Sequence, residues 1–573
     1  MAEVLETTLR EDVQVRLPDG RVFASARGTP LLEFFRVAYP SDENPVVAAV
    51  VEGVLRELAW PVERDVEASP VFLSDSDGIR IYSRSLSFLL VAVVAELFPK
   101  AHVYIDYSVP HGGYFCRVEG RRPFTSRELS RIKERMASLV EEDRPILRRR
   151  CTLEEASRIF ASRGEEEKAR LFEQRKMGHL HLYTLNGISD YFYGYMVPST
   201  GFLRTFALEP FADGFILRFP RREEPRRLLP PKKFTALREV FDEYGRWLSL
   251  LRMRNVGSLN EAIRSGRIEQ VILVAEALHE KRVAEIADKI LKRHKDGVRL
   301  VFIAGPSASG KTTFSKRLAI QLLAGGLKPY PVAMDDYFHP RGYLKEKFGD
   351  DVDFDSLDAL DVPRFQEDLG RLFHGEEVTL PHYNFRLGVR EDGPTVRLGK
   401  DQILLVEGIH GLNPQLLEGA PTKDCFRIFV SALTQLNLDI HNRVSTTDTR
   451  LLRRLVRDAV YRGYSAEETL AIWDSVRRGE KRNIFPYQEE ADVMFNSALS
   501  YELAVLKPLA EPYLLQVRDP RLRIEAERLL AFLWWFDPYS TTDNIPGNSI
   551  LREFIGGSIL RDFTPVSPGD EGR

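Results

Sequence analysis

Residues 298–326 constrain this chain more than any other stretch. VRLVFIA is apolar enough to lie buried on both faces of a parallel sheet. GPSASGKT follows at 305–312 and fits GxxxxGK[ST]. KTTFSKRLAIQLLAGG then carries Phe314, Leu318, Leu322 and Leu323 at helical spacing and stops at Gly325-Gly326. Strand, glycine turn and helix in this order predict a phosphate-binding loop. Its glycines let backbone N–H groups close on phosphate oxygens, and the helix start adds partial positive charge. The predicted ATP-binding set is Gly305, Ser307, Ala308, Ser309, Gly310, Lys311, Thr312 and Thr313. Lys311 can reach the β- and γ-phosphates, and Thr312 can ligate Mg²⁺.

From 298 to about 500, strands alternate with helices, which predicts an α/β domain with a doubly wound, mostly parallel sheet. In such a sheet the C-terminal strand ends face the ligand crevice. PYPVAM ends at Asp335-Asp336, and a carboxylate there can take a proton from an attacking hydroxyl. ILLVEGIHG sets Glu407 at the end of an apolar run, where a carboxylate can hold Mg²⁺ directly or through water. DTRLLRRLVRDAVYRG spaces Arg450, Arg454 and Arg457 along one helix face, with Arg462 beyond. Clustered guanidinium groups can clamp a phosphoryl group in transfer. The plainer readings are a turn residue for Asp335, a solvent-facing strand end for Glu407 and a hydrated basic face for the arginines.

The motifs GPSASGKTT, MDDYF, DFDSLDALD, LPHYNF, LLVEGIHG, RRLVRD and EADVMF run in the order seen in uridine kinases, relatives of the phosphoribulokinases. Residues 298–515 resemble that family. The resemblance implies Asp335 as the base for a sugar 5′-hydroxyl, with Thr312 and Glu407 at Mg²⁺. It implies Asp355 and Arg454 on the ribose, and Arg457 and Arg462 in a lid over the phosphates. Tyr383 and Phe385 would wall the base, with Arg390 nearby. Two positions depart from the pattern. The histidine that helps read a pyrimidine is replaced by Gly388, and the lid's second arginine by Tyr464. A hydrogen bond to a base edge carries large discrimination, so the preferred base stays open.

The front half reads differently. VQVRLPDGRVF alternates on both sides of Pro18-Asp19-Gly20, a hairpin signature, and LLEFFRVAY follows as a helix. A small β-grasp module is expected over 1–75. Residues 76–220 should open with an apolar helix from Leu86 to Phe98, followed by strands and an amphipathic helix over 126–142. RLPDG, RSLSFLLVAVVAELFP, DYSVPHGGYF, CTLEEASRIF and ISDYFYGYMVPST resemble the N-terminal region of threonyl-tRNA synthetase, its TGS and editing domains. Where that editing domain has two histidines, then a cysteine and a third histidine, this chain has Ser85, Leu89, Phe192 and Met196. These four cannot bind zinc together, so neither editing nor a zinc site is expected. His179 and His181 share one side of a strand and read as structural. So does His279, beside Glu280.

PRREEPRRLLPPKK at 220–233 reads as a linker, and with the helical segment after it makes up 221–297. Residues 516–573 read as a helical extension and a tail in which 548–558 docks on the core. At 573 residues the chain has room for about four domains. Its 81 Lys+Arg against 84 Asp+Glu argue against bulk binding to nucleic acid. Three scattered cysteines fit a reducing, cytoplasmic compartment. Apolar runs reach only about eight residues, short of the roughly 20 a membrane span needs.

The expectation is an ATP- and Mg²⁺-dependent kinase acting on the 5′-hydroxyl of a nucleoside. The layout resembles bacterial nucleoside kinases with fused N-terminal domains. The alternatives are a sugar-phosphate kinase of the phosphoribulokinase type and an RNA-associated regulator that uses its nucleotide as a switch. Expected partners are nucleoside and ATP, with no membrane; RNA and a second copy of the chain remain open.

Overall fold

The computed structural model describes residues 11–41, 43–173, 178–349, 356–384, 387–399, 401–417, 425–563 and 565. The Pro18-Asp19-Gly20 turn joins strands Asp12–Arg16 and Val22–Ala26 into an antiparallel hairpin. Val13 and Val15 are buried on its inner side, as strict alternation requires. Helix Leu31–Ala38 crosses the sheet, which strands Val46–Val51, Val54–Glu57 and Val66–Phe72 complete. The first and last of the five strands run parallel, which is the β-grasp arrangement.

The second region opens with helix Ser76–Leu97, ten residues earlier than its apolar pattern alone suggests. Asp75 marks its start, accepting a hydrogen bond from the Phe72 N–H at 2.8 Å. The helix is long and apolar enough to cross a membrane by length and composition, contrary to the short runs read from sequence. Ser85 and Ser87 return their hydroxyls to backbone carbonyls one turn back, so they interrupt the apolar stripe very little. Of its most apolar window, 78% is buried inside the protein. Around it lie the amphipathic helix Ser126–Glu141, a four-stranded antiparallel sheet and a three-stranded sheet.

The proline-rich segment at 220–233 is irregular but strapped down. Arg221 donates to the Pro110 carbonyl, Arg222 to Ser76 Oγ and Arg226 to the Glu43 carbonyl, while Glu223 pairs with Lys481. Helices Thr235–Leu251, Val256–Arg264 and Ile268–Lys295 follow. His279 is buried in the last of them, 3.1 Å from the Ala498 carbonyl, and Glu280 pairs with Arg317.

The third region is built on a five-stranded parallel sheet ordered Lys328–Ala333, Gln402–Glu407, Leu300–Ala304, Cys425–Ser431 and Val493–Asn496. Every pairing is parallel. All five residues of Leu300–Ala304 are buried, which accounts for the uninterrupted apolar run at 300–304. A separate antiparallel hairpin, Glu377–Asn384 with Val389–Arg397, stands beside the sheet.

The loop after Cys425–Ser431 reaches into the front half. Asn437 donates to the Ile105 carbonyl at 3.0 Å, and the Ile105 N–H donates to the Ile440 carbonyl at 2.9 Å. His441 stacks on Phe192 with ring centroids 5.9 Å apart. Leu89, Phe192 and Met196 are buried among apolar side chains, and Ser85 accepts the Val197 N–H. Leu89, Phe192 and Met196 therefore serve as packing, and Ser85 as a hydrogen-bond acceptor. Glu165, Asp190 and His441 face one another nearby, but the Lys168 ammonium pairs with Asp190 and lies 3.3 Å from His441 Nδ1. A cation thus already stands among these carboxylates. His179 and His181 sit edge to face at 6.3 Å; burial, then Arg148, lowers the His181 pKa to about 4.

Candidate active site

Strand Leu300–Ala304 delivers the chain into the glycine turn, and Gly310 starts helix Lys311–Ala324 at φ +85°, a conformation glycine adopts without strain. The turn is braced from behind by helix Thr446–Arg457. Arg450 Nε donates to the Ser307 carbonyl at 2.8 Å and pairs with buried Glu480, which also accepts the Ser307 N–H at 3.0 Å. Arg454 donates to Ser307 Oγ at 3.0 Å. Arg453 is fully buried between Glu502 and the Ser497 carbonyl. The even spacing of Arg450, Arg454 and Arg457 gave no sign that Arg450 turns inward as a brace.

Asp458 collects the remaining arginines. Its buried carboxylate accepts from Arg454 Nε at 3.2 Å and Arg457 Nη2 at 2.8 Å, and Arg462 Nε lies 3.6 Å away. The chain makes a π-helical turn over Asp458–Arg462, a distortion often found at functional sites. Tyr464 is exposed just beyond.

Lys311 Nζ rests on the Pro306 carbonyl at 3.2 Å. Thr312 Oγ1 donates to Glu407 Oε1 at 3.0 Å, joining the helix start to the end of strand Gln402–Glu407. Burial, together with the Glu553 and Asp335 charges, pushes the Glu407 pKa up to about 7 against the pull of Lys311. A carboxylate crowded by two others and bonded to a threonine hydroxyl fits a divalent cation, which would relieve that repulsion.

The two aspartates at the end of Lys328–Ala333 divide their work. Asp336 turns to the hairpin, accepting the Tyr383 N–H at 3.0 Å with His382 Nδ1 at 3.2 Å. Asp335 faces the cleft. It is open to solvent, yet the surrounding protein raises its pKa against the pull of Lys311, with Asp336 adding to the rise and Arg462 opposing it. Asp335 and Glu407 stand at the ends of neighbouring strands, Ala333 pairing with Glu407, and the Lys311 charge lowers the pKa of both.

On the acceptor side, Tyr383 is buried with its ring edge-on to Phe338 at 5.8 Å. Arg390 pairs with Asp361 at 2.8 Å. Asp355 and Phe385 lie outside the described residues. Gly388 has φ +69°, and a Cβ there would meet the Arg341 side chain at 2.6 Å. A histidine at 388 would need both a strained backbone and a displaced arginine. Sequence reasoning missed Asp458, Glu480, Arg453 and Glu553; only Asp458, four residues after Arg454, carried a local signal.

A glycine turn on the central strand, a lysine, a threonine–carboxylate pair and a strand-end aspartate define a P-loop kinase site. Residues 300–503 match the Phosphoribulokinase / Uridine kinase family and form a kinase domain of that superfamily. The N-terminal part is similar to threonine–tRNA ligases, at 32% identity over 217 residues to that of Burkholderia lata and 31% to that of Burkholderia vietnamiensis. Each alignment covers 38% of this chain and 34% of the ligase, so the chain spans about a third of those relatives. Among solved structures, a possible uridine kinase from Bacillus stearothermophilus is 18% identical with TM-score 0.28, covering 38% of this chain and 98% of that one. D-glycerate 3-kinase from Cryptococcus neoformans is 17% identical with TM-score 0.22, covering 46% and 89%.

Proposed function

We propose that the chain is a cytoplasmic, ATP-dependent nucleoside kinase that transfers the γ-phosphoryl group to a 5′-hydroxyl. Asp335 accepts the hydroxyl proton as the oxygen forms its bond to the γ-phosphorus and the bond to the β-phosphate oxygen breaks, releasing ADP. Lys311, Arg457 and Arg462 offset the charge spread over the phosphoryl oxygens. Thr312 and Glu407 would hold Mg²⁺, whose chemistry is to neutralise the β- and γ-phosphate oxygens. Gly305, Ser307, Ala308, Ser309, Gly310 and Thr313 complete the phosphate cradle. Tyr383 and Arg390 would contact the acceptor, as would Phe385 and Asp355 by the resemblance to uridine kinases; Arg454, implied there on the ribose, instead serves the glycine turn through Ser307.

The observation that carries this reading is the hydrogen bond from Thr312 Oγ1 to Glu407 Oε1 at 3.0 Å, which joins the start of the glycine-turn helix to the strand end beside Asp335. Asp335 follows Ala333, which pairs with Glu407 across the two strands, so the base and the Mg²⁺ pair stand at the same edge of the crevice. A sugar-phosphate acceptor is the second reading. It is favoured by Arg341, a cation lying across Gly388 where the base-reading histidine of uridine kinases would stand. ADP release across ribonucleosides and sugar phosphates separates the two. Turnover with a nucleoside and none with a sugar phosphate is expected; the reverse result would transfer the assignment to the second reading.

A further inference from the structure

The last part of the described chain folds back over the glycine turn. Ile550, Leu551 and Phe554 are fully buried. Ser549 Oγ donates to Glu276 Oε1 at 2.6 Å, and Lys316 Nζ donates to the Leu560 and Arg561 carbonyls at 2.7 Å each. The Phe554 ring lies 5.0 Å from the Arg453 guanidinium, itself behind the turn. Ile550 Cγ2 sits only 2.5 Å from where a Cβ on Gly310 would be. These contacts fix the short helix Arg552–Ile555 against the first turn of Lys311–Ala324.

That packing aims Glu553 at the phosphate-binding donors. Glu553 Oε2 accepts from the Thr313 N–H at 3.1 Å and from Thr313 Oγ1 at 2.8 Å. Amides in the first turn of a helix have no partner within it, and with the helix dipole they form the natural seat of an anion. In this structure the seat holds a carboxylate from 240 residues further along the chain. Glu553 is also close enough to Glu407 to raise its pKa. One N–H and one hydroxyl hydrogen cannot serve a carboxylate and a phosphate oxygen together. A carboxylate left beside a polyphosphate would also repel it.

We infer that Glu553 is an internal competitor of nucleotide: its carboxylate takes the Thr313 donors and must swing away for a phosphate group to use them. The inference rests on the glycine turn being the nucleotide site. Ile550, Leu551 and Phe554 stay packed, and only the half-buried Glu553 side chain has to turn. The C-terminal segment thereby sets nucleotide affinity without contributing to phosphoryl transfer.

The test is calorimetric titration of the full chain with Mg²⁺–ADP, comparing wild type with Glu553→Ala and Glu553→Gln. Loss of the competing charge should tighten ADP binding about tenfold for alanine and less for glutamine, which keeps a neutral acceptor. The near-isosteric glutamine guards against an alanine variant that fails to fold. Unchanged or weaker ADP binding in folded variants would overturn the competitor role and leave the kinase reading standing. No ADP binding in any of the three proteins would overturn both.

Discussion

The two halves of the chain keep their folds but treat their clefts in opposite ways. In the kinase domain, strand ends present Asp335 and Glu407 to a crevice, and arginines gathered on Asp458 stand beside it. In the synthetase-like half, Ser85, Leu89, Phe192 and Met196 are all buried. The loop around His441 stacks on Phe192. A fold survives the loss of its site because the core and the site draw on different residues. Here Phe192 and Ile105 form a joint that ties the front half to the loop leading into the arginine helix.

Mutations that strike one half should separate chemistry from cohesion. Asp335→Asn should lower kcat by about a thousandfold, in line with the loss of a general base, while ADP affinity holds. Steady-state kinetics beside an ADP titration would check it, and near-normal turnover would remove Asp335 from its role. Asp458→Asn frees three arginines, so kcat should fall about a hundredfold with little change in acceptor KM. Equal loss in both parameters would mean that Asp458 only shapes the acceptor pocket.

Leu89→Ala probes the other half. Emptying a buried leucine site should cost about 3 kcal/mol in urea unfolding and leave kcat intact. A matching fall in kcat would show that the joint does more than hold the halves together. Arg341→Ala should raise KM about tenfold for an anionic acceptor and leave it unchanged for a neutral one.

The smallest effect is on pH. The surrounding protein raises the Asp335 pKa, and the residue must be ionised to accept a proton. Activity should therefore be lost as pH falls through that raised value, with an acid limb above the ordinary aspartate range. A limb at the ordinary value would mean the cleft does not desolvate Asp335 during turnover.

The parts legible in sequence share one property: they are local. The glycine turn, Asp335 and Glu407 each follow an apolar strand, and strand ends in parallel sheets open on the crevice. The β-grasp hairpin was legible for the same reason, through its Pro-Asp-Gly turn. Arg450 shows where this stops. Its helical spacing fixed the face it shares, not what that face touches, and it proved to be a buried brace on Ser307. Glu480 and Glu553 meet the glycine turn from 173 and 240 residues away, and no local pattern marks such contacts. The early start of helix Ser76–Leu97 was hidden because Asp77, Gly78, Arg80 and Arg84 break up the apolar pattern of its first ten residues.

The central claim is that the crevice moves a phosphoryl group from ATP to a 5′-oxygen. Phosphorus NMR of the products of ATP and a nucleoside tests it most directly. The account predicts a 5′-monophosphate growing in step with ADP. ADP formed at the same rate with and without the nucleoside, and no new phosphate ester, would contradict it.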